Sequence, residues 1–233
     1  MTVLSVCQNA YRRLFGTRPS SFFSTTDDTL LQFAEIANES ARDIMKAAEW
    51  QALTGLCTFG CDGTTVAFDL PSDFDRLQKD VRVHLASLIT PLLQYTTADA
   101  FLYDQLRLGV SAVGRWIMLG GQMNVYPAQK AGDSIEFYYQ KNTIVRTGGT
   151  TPATEFTTDA DTFVLPERLL QLCIIWKYRE HKGLPYDEAM QDYETELATC
   201  RMSDRGVQAI RLGQVRGTMV GGGKLAWPGV IGT

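Results

Sequence analysis

The residues that could do chemistry crowd into one stretch, DTFVLPERLLQLCIIWKYREHKGLPYDEAMQDYETELATCR at 161–201, which holds Cys173, His181 and seven carboxylates between Glu167 and Glu196. A thiol and an imidazole together suggest a nucleophile and its base, which need heavy atoms within about 3 Å of each other. Eight residues along one helix separate two side chains by about 80° of rotation and about 12 Å of rise. Cys173 and His181 therefore read as a core thiol and a surface histidine near a helix C-terminus, where a cation is favoured. Carboxylate pairs such as Glu188 with Asp192, or Glu194 with Glu196, raise hydrolysis. That chemistry needs two carboxyl groups opposed across a cleft, about 5–9.5 Å apart. At helical spacing Glu188, Gln191, Asp192, Thr195 and Glu196 share one face, the usual solvated one.

The remaining candidates are sparser. CTFGC brings Cys57 and Cys61 close in sequence, and a zinc site, a disulfide and two thiols on a strand face are all open there. A zinc site would want more ligands, and the chain has only His84 and His181 besides its five cysteines. The GGGK of VGGGKLA lacks the spacing and the Ser/Thr of a phosphate loop. No serine elbow, HExxH or dinucleotide fingerprint occurs. The expectation is no catalytic residues, no metal and no cofactor.

Composition agrees with an ordinary globular chain: 233 residues, 45% hydrophobic, 21% charged, net charge −4. The charge is uneven. Residues 1–204 hold 18 basic and 26 acidic side chains, or −8, while 205–233 hold Arg205, Arg211, Arg216 and Lys224 and no acid, or +4. Such asymmetry marks an appended segment with its own task. The start of the sequence, MTVLSVCQNAYRRLFG, lacks the pattern of a secretory signal. No stretch approaches the length of apolar sequence that spans a bilayer, so no membrane partner is expected. Cysteines inside apolar helical patterns suit manufacture in a reducing cytoplasm.

Elements follow from periodicity. Val3, Val6, Cys7, Ala10 and Leu14 predict a helix stopped at Gly16. Asp27 or Asp28 caps a second, with Leu30, Leu31, Ala34, Ala37, Ala41, Ile44, Met45 and Ala48 as its stripe. From about Gly55 the period falls to two: Val81, Val83 and Leu85 face one way, Arg82 and His84 the other. A short helix follows, with Thr96 and Asp99 as a capping box, then strand, GG turn, strand, AGD turn and strand over 115–141. TIVRTGGTTPATEFTTDAD reads as a return loop. Pro166 opens a helix with apolar residues nearly all round, Gly183 stops it, and Pro185 opens the last. In that helix Tyr186, Met190, Tyr193 and Leu197, followed by Cys200, form a seam for a neighbouring helix.

The predicted fold class is α+β: a four-helix bundle body (1–54 and 163–204), an inserted mainly β block with one short helix and a return loop (55–162), and an extended C-terminal arm (205–233). The arm has eight glycines in 29 residues, yet it carries Ile210, Leu212, Val215, Leu225 and Trp227. A plain linker would not hold so many apolar side chains. It reads either as a disordered terminus or as a segment that orders on another chain.

Three segments together resemble the head-to-tail adaptor (connector, or tail accessory) proteins of tailed bacteriophages. These are TVLSVCQNAYRRLFG with a second helix ending in AAEWQAL; FDLPSDFDRL with NVYPAQKAGDSIEFYYQKN; and DTFVLPERLLQLCIIWKYREHKGLPYDEAMQDYETEL. The likeness covers most of residues 1–204. It implies a structural virion protein, not an enzyme, assembled in the host bacterial cytoplasm into a homo-oligomeric ring, typically of twelve copies, in the neck of the virion. Its partners would be itself, the portal protein and tail proteins (nozzle, tail terminator or tail hub). DNA would pass through the channel at genome ejection without specific binding. The C-terminal arm would dock on the portal through Arg205, Ile210, Arg211, Leu212, Val215, Arg216, Lys224, Leu225 and Trp227, and the seam of the last helix, Tyr186, Met190, Tyr193 and Leu197, would serve subunit packing. Two alternatives stand beside it: a cell-wall-glycan hydrolase of the virion using carboxylates, and a different head-completion or tail-terminator protein.

Overall fold

The computed structural model describes residues 2–107 and 114–205. The architecture is α+β, with five helices and three small sheets among the described residues. Helix α1 (Val3–Phe15) ends where predicted, at Gly16, whose φ of 76° is the left-handed region that glycine tolerates and whose N–H reaches Arg12 O. Helix α2 (Asp28–Ala47) is capped by Asp27, whose carboxylate accepts the Thr29 N–H at 2.8 Å.

Helices α4 (Glu167–His181) and α5 (Asp187–Arg205) form the expected hairpin. Its turn is closed by Gly183 N–H to Glu180 O and Leu184 N–H to Arg179 O, both 2.9 Å. Helix α4 is the common neighbour, with α1, α2 and α5 each packed on it. That arrangement explains its nearly all-round apolar surface. Leu169, Leu170 and Ile174 are fully buried, each contributing about 1.5–3 kcal/mol of hydrophobic stabilisation.

Between α2 and α4 the chain builds two sheets that enclose a second core. The first sheet contains β1 (Thr54–Gly60), β3 (Phe74–Leu77), β4 (His84–Leu85) and β8 (Ser134–Lys141), with β8 between β1 on one side and β3 and β4 on the other. The second runs β2 (Ala67–Asp69), β7 (Gln122–Tyr126), β6 (Arg115–Leu119), β5 (Leu93–Gln94). Alternation sorts the faces. Cys57, Val83, Leu85, Trp116, Met123, Val125, Ile135 and Phe137 point into the shared core, while Arg82, His84 and Tyr138 point out. Helix α3 (Ala98–Arg107) covers the outer face of the second sheet, where Phe101 meets Tyr95 and Ile117. Its cap differs from the expected capping box. Thr97, not Thr96, presents its hydroxyl, to the Ala100 N–H at 3.2 Å, because the helix starts one residue later.

The return segment also differs from the loop reading. Residues 145–163 form a third sheet of β9 (Val145–Thr147), β10 (Thr151–Ala153) and β11 (Thr162–Phe163), with β9 in the middle. Strands of two or three residues leave no alternation to read. What orders them is burial, since Ile144, Val145, Phe156 and Phe163 sit in the helical core. The helical and β parts are stitched at one junction. The Arg76 guanidinium donates to Met45 O (3.1 Å) and Ala48 O (2.8 Å), satisfying carbonyls at the end of α2. Buried Gln140 accepts the Trp50 N–H at 3.2 Å.

Candidate functional site

The chemistry-bearing residues of the α4–α5 hairpin are kept apart. Cys173 is 1% exposed. Burial, the largest influence, lifts its thiol to about 11 although Ser40 and Lys177 pull the other way, and such a thiol is not a nucleophile at neutral pH. His181 is exposed on the last turn of α4, with Nε2 3.0 Å from Nε2 of Gln32. Glu188, Asp192 and Glu194 are exposed, and Glu196 pairs with Arg168 at 3.0 Å on the surface. Glu188 and Asp192, one turn apart on the same helix, line a recess together with Arg13 and Arg179.

The other chemical candidates fall to packing. All five cysteines are free and buried. Cys57 and Cys61 face the β core, Cys57 raised to about 11 by burial and then by Asp73. Among the described residues no cluster of three His, Cys, Asp or Glu side chains could hold a metal. No described helix is long and apolar enough to cross a membrane. His84 lies opposite Glu136 on the outer face of the β4–β8 pair, in a shallow recess with Arg82, Leu56 and Tyr138.

The helix seam is where the hairpin shows order. Tyr193, Leu197 and Cys200 are buried, and the Tyr193 ring lies 6.0 Å from that of Trp176 on α4. Tyr186 is half-buried at the start of α5. Met190 is 37% exposed, and the buried residue of that turn is its neighbour Ala189. A spacing of four, four and three through Ala189, Tyr193, Leu197 and Cys200 is thus the face turned to α4. Small Ala189 offers too weak a hydrophobic signal to be chosen over Met190 from sequence.

Two features had no sequence signal of their own. Lys177 is buried, its ammonium set between the carboxylates of Glu39 (2.6 Å) and Asp43 on α2. Burial opposes the charge, but those two carboxylates outweigh it and raise the lysine above its ordinary value. The second is a polar clasp. Asp161, fully buried, accepts the N–H groups of Thr157 (2.8 Å) and Thr158 (2.9 Å) and the Thr158 hydroxyl (2.7 Å). Asp159 accepts the Ser21 hydroxyl (2.5 Å) and the Phe22 N–H (3.0 Å). The Asp161 carbonyl takes the Val3 N–H at 2.7 Å, fastening the first helix to the return segment. The string TTDAD carries the turn-forming residues that coordinate Asp161 locally, but Ser21 and Phe22, the partners of Asp159, and Val3, the partner of the Asp161 carbonyl, lie more than a hundred residues away.

The root of the arm is anchored at the junction of the two cores. The Asp204 carboxylate accepts the Gln51 N–H at 2.9 Å, and the Arg201 guanidinium donates to Ala47 O. Arg205 is the last residue of α5. Ile210, Arg211, Leu212, Val215, Arg216, Lys224, Leu225 and Trp227 lie outside the described residues.

No curated protein matches the chain. A family model described as SU10 adaptor protein matches residues 1–218, which takes in both cores, the hairpin and the first part of the arm through Arg216, and stops short of Lys224. The match extends over far more than half of the sequence, and the chain belongs to this family, a family of phage head-to-tail adaptors.

Proposed function

We propose that the protein forms a ring, of about twelve copies by family resemblance, beneath the portal of a DNA-filled phage head. There it joins head to tail, surrounds the DNA exit channel and has no enzymatic activity of its own. The family match over residues 1–218 carries this reading. The body would be a four-helix arrangement about α4 bearing an inserted β block, with residues 205–233 as a separate arm.

Electrostatics supports the assignment of tasks. A net charge of −8 over the body (18 basic against 26 acidic in 1–204) disfavours holding phosphate, which suits a channel through which DNA must slide. A +4 arm gains on-rate and register toward an acidic or mixed-charge surface, and its apolar residues supply affinity. Portal docking is assigned to Arg205, Ile210, Arg211, Leu212, Val215, Arg216, Lys224, Leu225 and Trp227. Many arms in one ring act together, so weak single contacts give a stable joint. The exposed side of α5, with Tyr186 and Met190 at its margin, is assigned to the neighbouring subunit.

The test is native mass spectrometry and negative-stain imaging of the protein alone and with its portal. A ring on the portal is expected. A monomer that assembles with no portal refutes the proposal.

A further inference from the structure

Strand β1 is an edge of its sheet, paired on one side only, with β8, through an unbroken seven-residue register from Thr54 to Gly60. The alternation of the ladder shows which backbone groups face outward. Cys61 N–H bonds to Asp133 O, and Ala86 N–H to Ser134 O, both 2.9 Å. The carbonyl of Ser134, opposite Gly60, is thus turned to the β4 side, and Gly55, Cys57 and Phe59 make the bonds to β8. Thr54 N–H is used by the preceding turn. The N–H and C=O groups of Leu56, Thr58 and Gly60 point away from the sheet, with no partner among the described residues.

Proteins blunt such edges with charge, proline, bulges or short length. The other edges here have these devices: β2 has three residues, β5 and β11 two, β10 three with Pro152, and β3 carries Asp75, Arg76 and a register shift. Strand β1, TGLCTFG, has none. It is long, regular, uncharged and free of proline, which is the description of a template for another strand.

The end of α5 lies close to the start of β1. Asp204 bonds to Gln51, so the arm leaves the body three residues before β1 begins. Three residues beyond Asp204 starts Val207-Gln208-Ala209-Ile210-Arg211-Leu212, the longest run of the arm without glycine or proline. It has no acidic residue, and Ile210 and Leu212 fall on one side of an extended chain.

We propose that residues 207–212 of the chain's own C-terminal arm add to the outer edge of β1 as a parallel strand. They cover the backbone groups of Leu56, Thr58 and Gly60, and Gly213 ends the pairing. Strand addition takes Ile210, Arg211 and Leu212 out of the docking set and leaves residues 213–233, with Val215, Arg216, Lys224, Leu225 and Trp227, to reach a partner over as much as about 70 Å at about 3.3 Å per residue. The proposal stands independently of the ring and of the portal.

Amide hydrogen exchange on the full-length protein tests it. The expected result is exchange at Leu56, Thr58 and Gly60 at least about 100-fold slower than for open amides, both in dilute monomer and in concentrated samples. The double substitution Ile210→Pro with Arg211→Pro removes two adjacent N–H donors whichever way the strand faces. It should return those three amides to near-open rates while Cys57 and Phe59, bonded to β8, keep theirs as evidence of an intact sheet. Open rates in the wild-type protein, or protection unchanged by the double substitution, overturn the proposal. Protection that vanishes on dilution to monomer overturns it in favour of a neighbouring subunit's arm. None of these outcomes depends on whether a portal is ever bound.

Discussion

At the scale of single residues, the polar groups that matter most hold the fold together. Asp161 is fully buried yet charged, and it is tolerated because the surrounding donors complete its coordination. Burial pushes its carboxyl up, but the Thr158 hydroxyl and the Thr157, Thr158 and Gly148 amides outweigh that and leave it below its ordinary value. A depressed folded value contributes stability above the unfolded pKa, about 3.9, and loses it as pH falls through the folded value. Asp161→Asn turns an amide donor toward these donors, and a loss of about 2–3 kcal/mol is expected in urea unfolding at neutral pH. The difference from wild type should stay flat from about pH 5 upward and shrink in acid. Lys177 works in the opposite window. Its raised value means that its contribution is full below the ordinary lysine pKa and fades as pH rises through the folded one. Lys177→Met keeps the buried stem, and its former partners Glu39 and Asp43 are half-exposed and solvated (62% and 52%). Its cost should be under about 1.5 kcal/mol, as read by thermal or urea melts.

At the scale of elements, α5 is buried along one face and, among the described residues, exposed on the other. Leu197→Ala opens a cavity against α4 and should cost about 2–3 kcal/mol. Met190→Ala, on the exposed margin, should change the stability of the monomer by less than about 0.5 kcal/mol. If Met190 meets a neighbouring subunit, as proposed, that substitution weakens ring formation at constant monomer stability. Comparing melts with sedimentation profiles separates the two effects. These elements also show what a sequence makes legible. Gly16, Asp27, Pro166 and Gly183 declared the helix ends, because caps and breakers act within a few residues. Val83 and Leu85 declared an inward face through alternation, but the strand itself is only His84–Leu85 and Val81 lies outside it, partly buried. The β9–β11 sheet was silent, since its two- and three-residue strands exist only by burying Val145 and Phe163 under distant helices. Lys177 was silent for the same reason, since Glu39 and Asp43 lie far away in the chain, whereas Asp161 takes its side-chain donors from nearby Thr157 and Thr158 and only its burial was hidden. The Cys173–His181 question could be answered from helical geometry alone.

At the scale of the whole molecule, the chain divides its charge. An acidic body built on two cores meets at the Arg76–Met45–Ala48 and Trp50–Gln140 junction, and a basic arm departs from that same junction. If the arm docks on the portal, as proposed, its root matters: Asp204→Ala removes the bond to Gln51. It should reduce portal affinity more than it reduces the stability of the body, which pull-down and melting experiments compare directly. The central claim is that a ring of this protein joins to a portal through the arm. Native mass spectrometry of the full-length protein and of a variant ending at Asp204, each mixed with the portal, addresses that most directly. The account predicts a ring-on-portal complex for the full chain and none for the shortened one, with the circular dichroism of the body unchanged. Equal docking by both, or no ring with either, would contradict it.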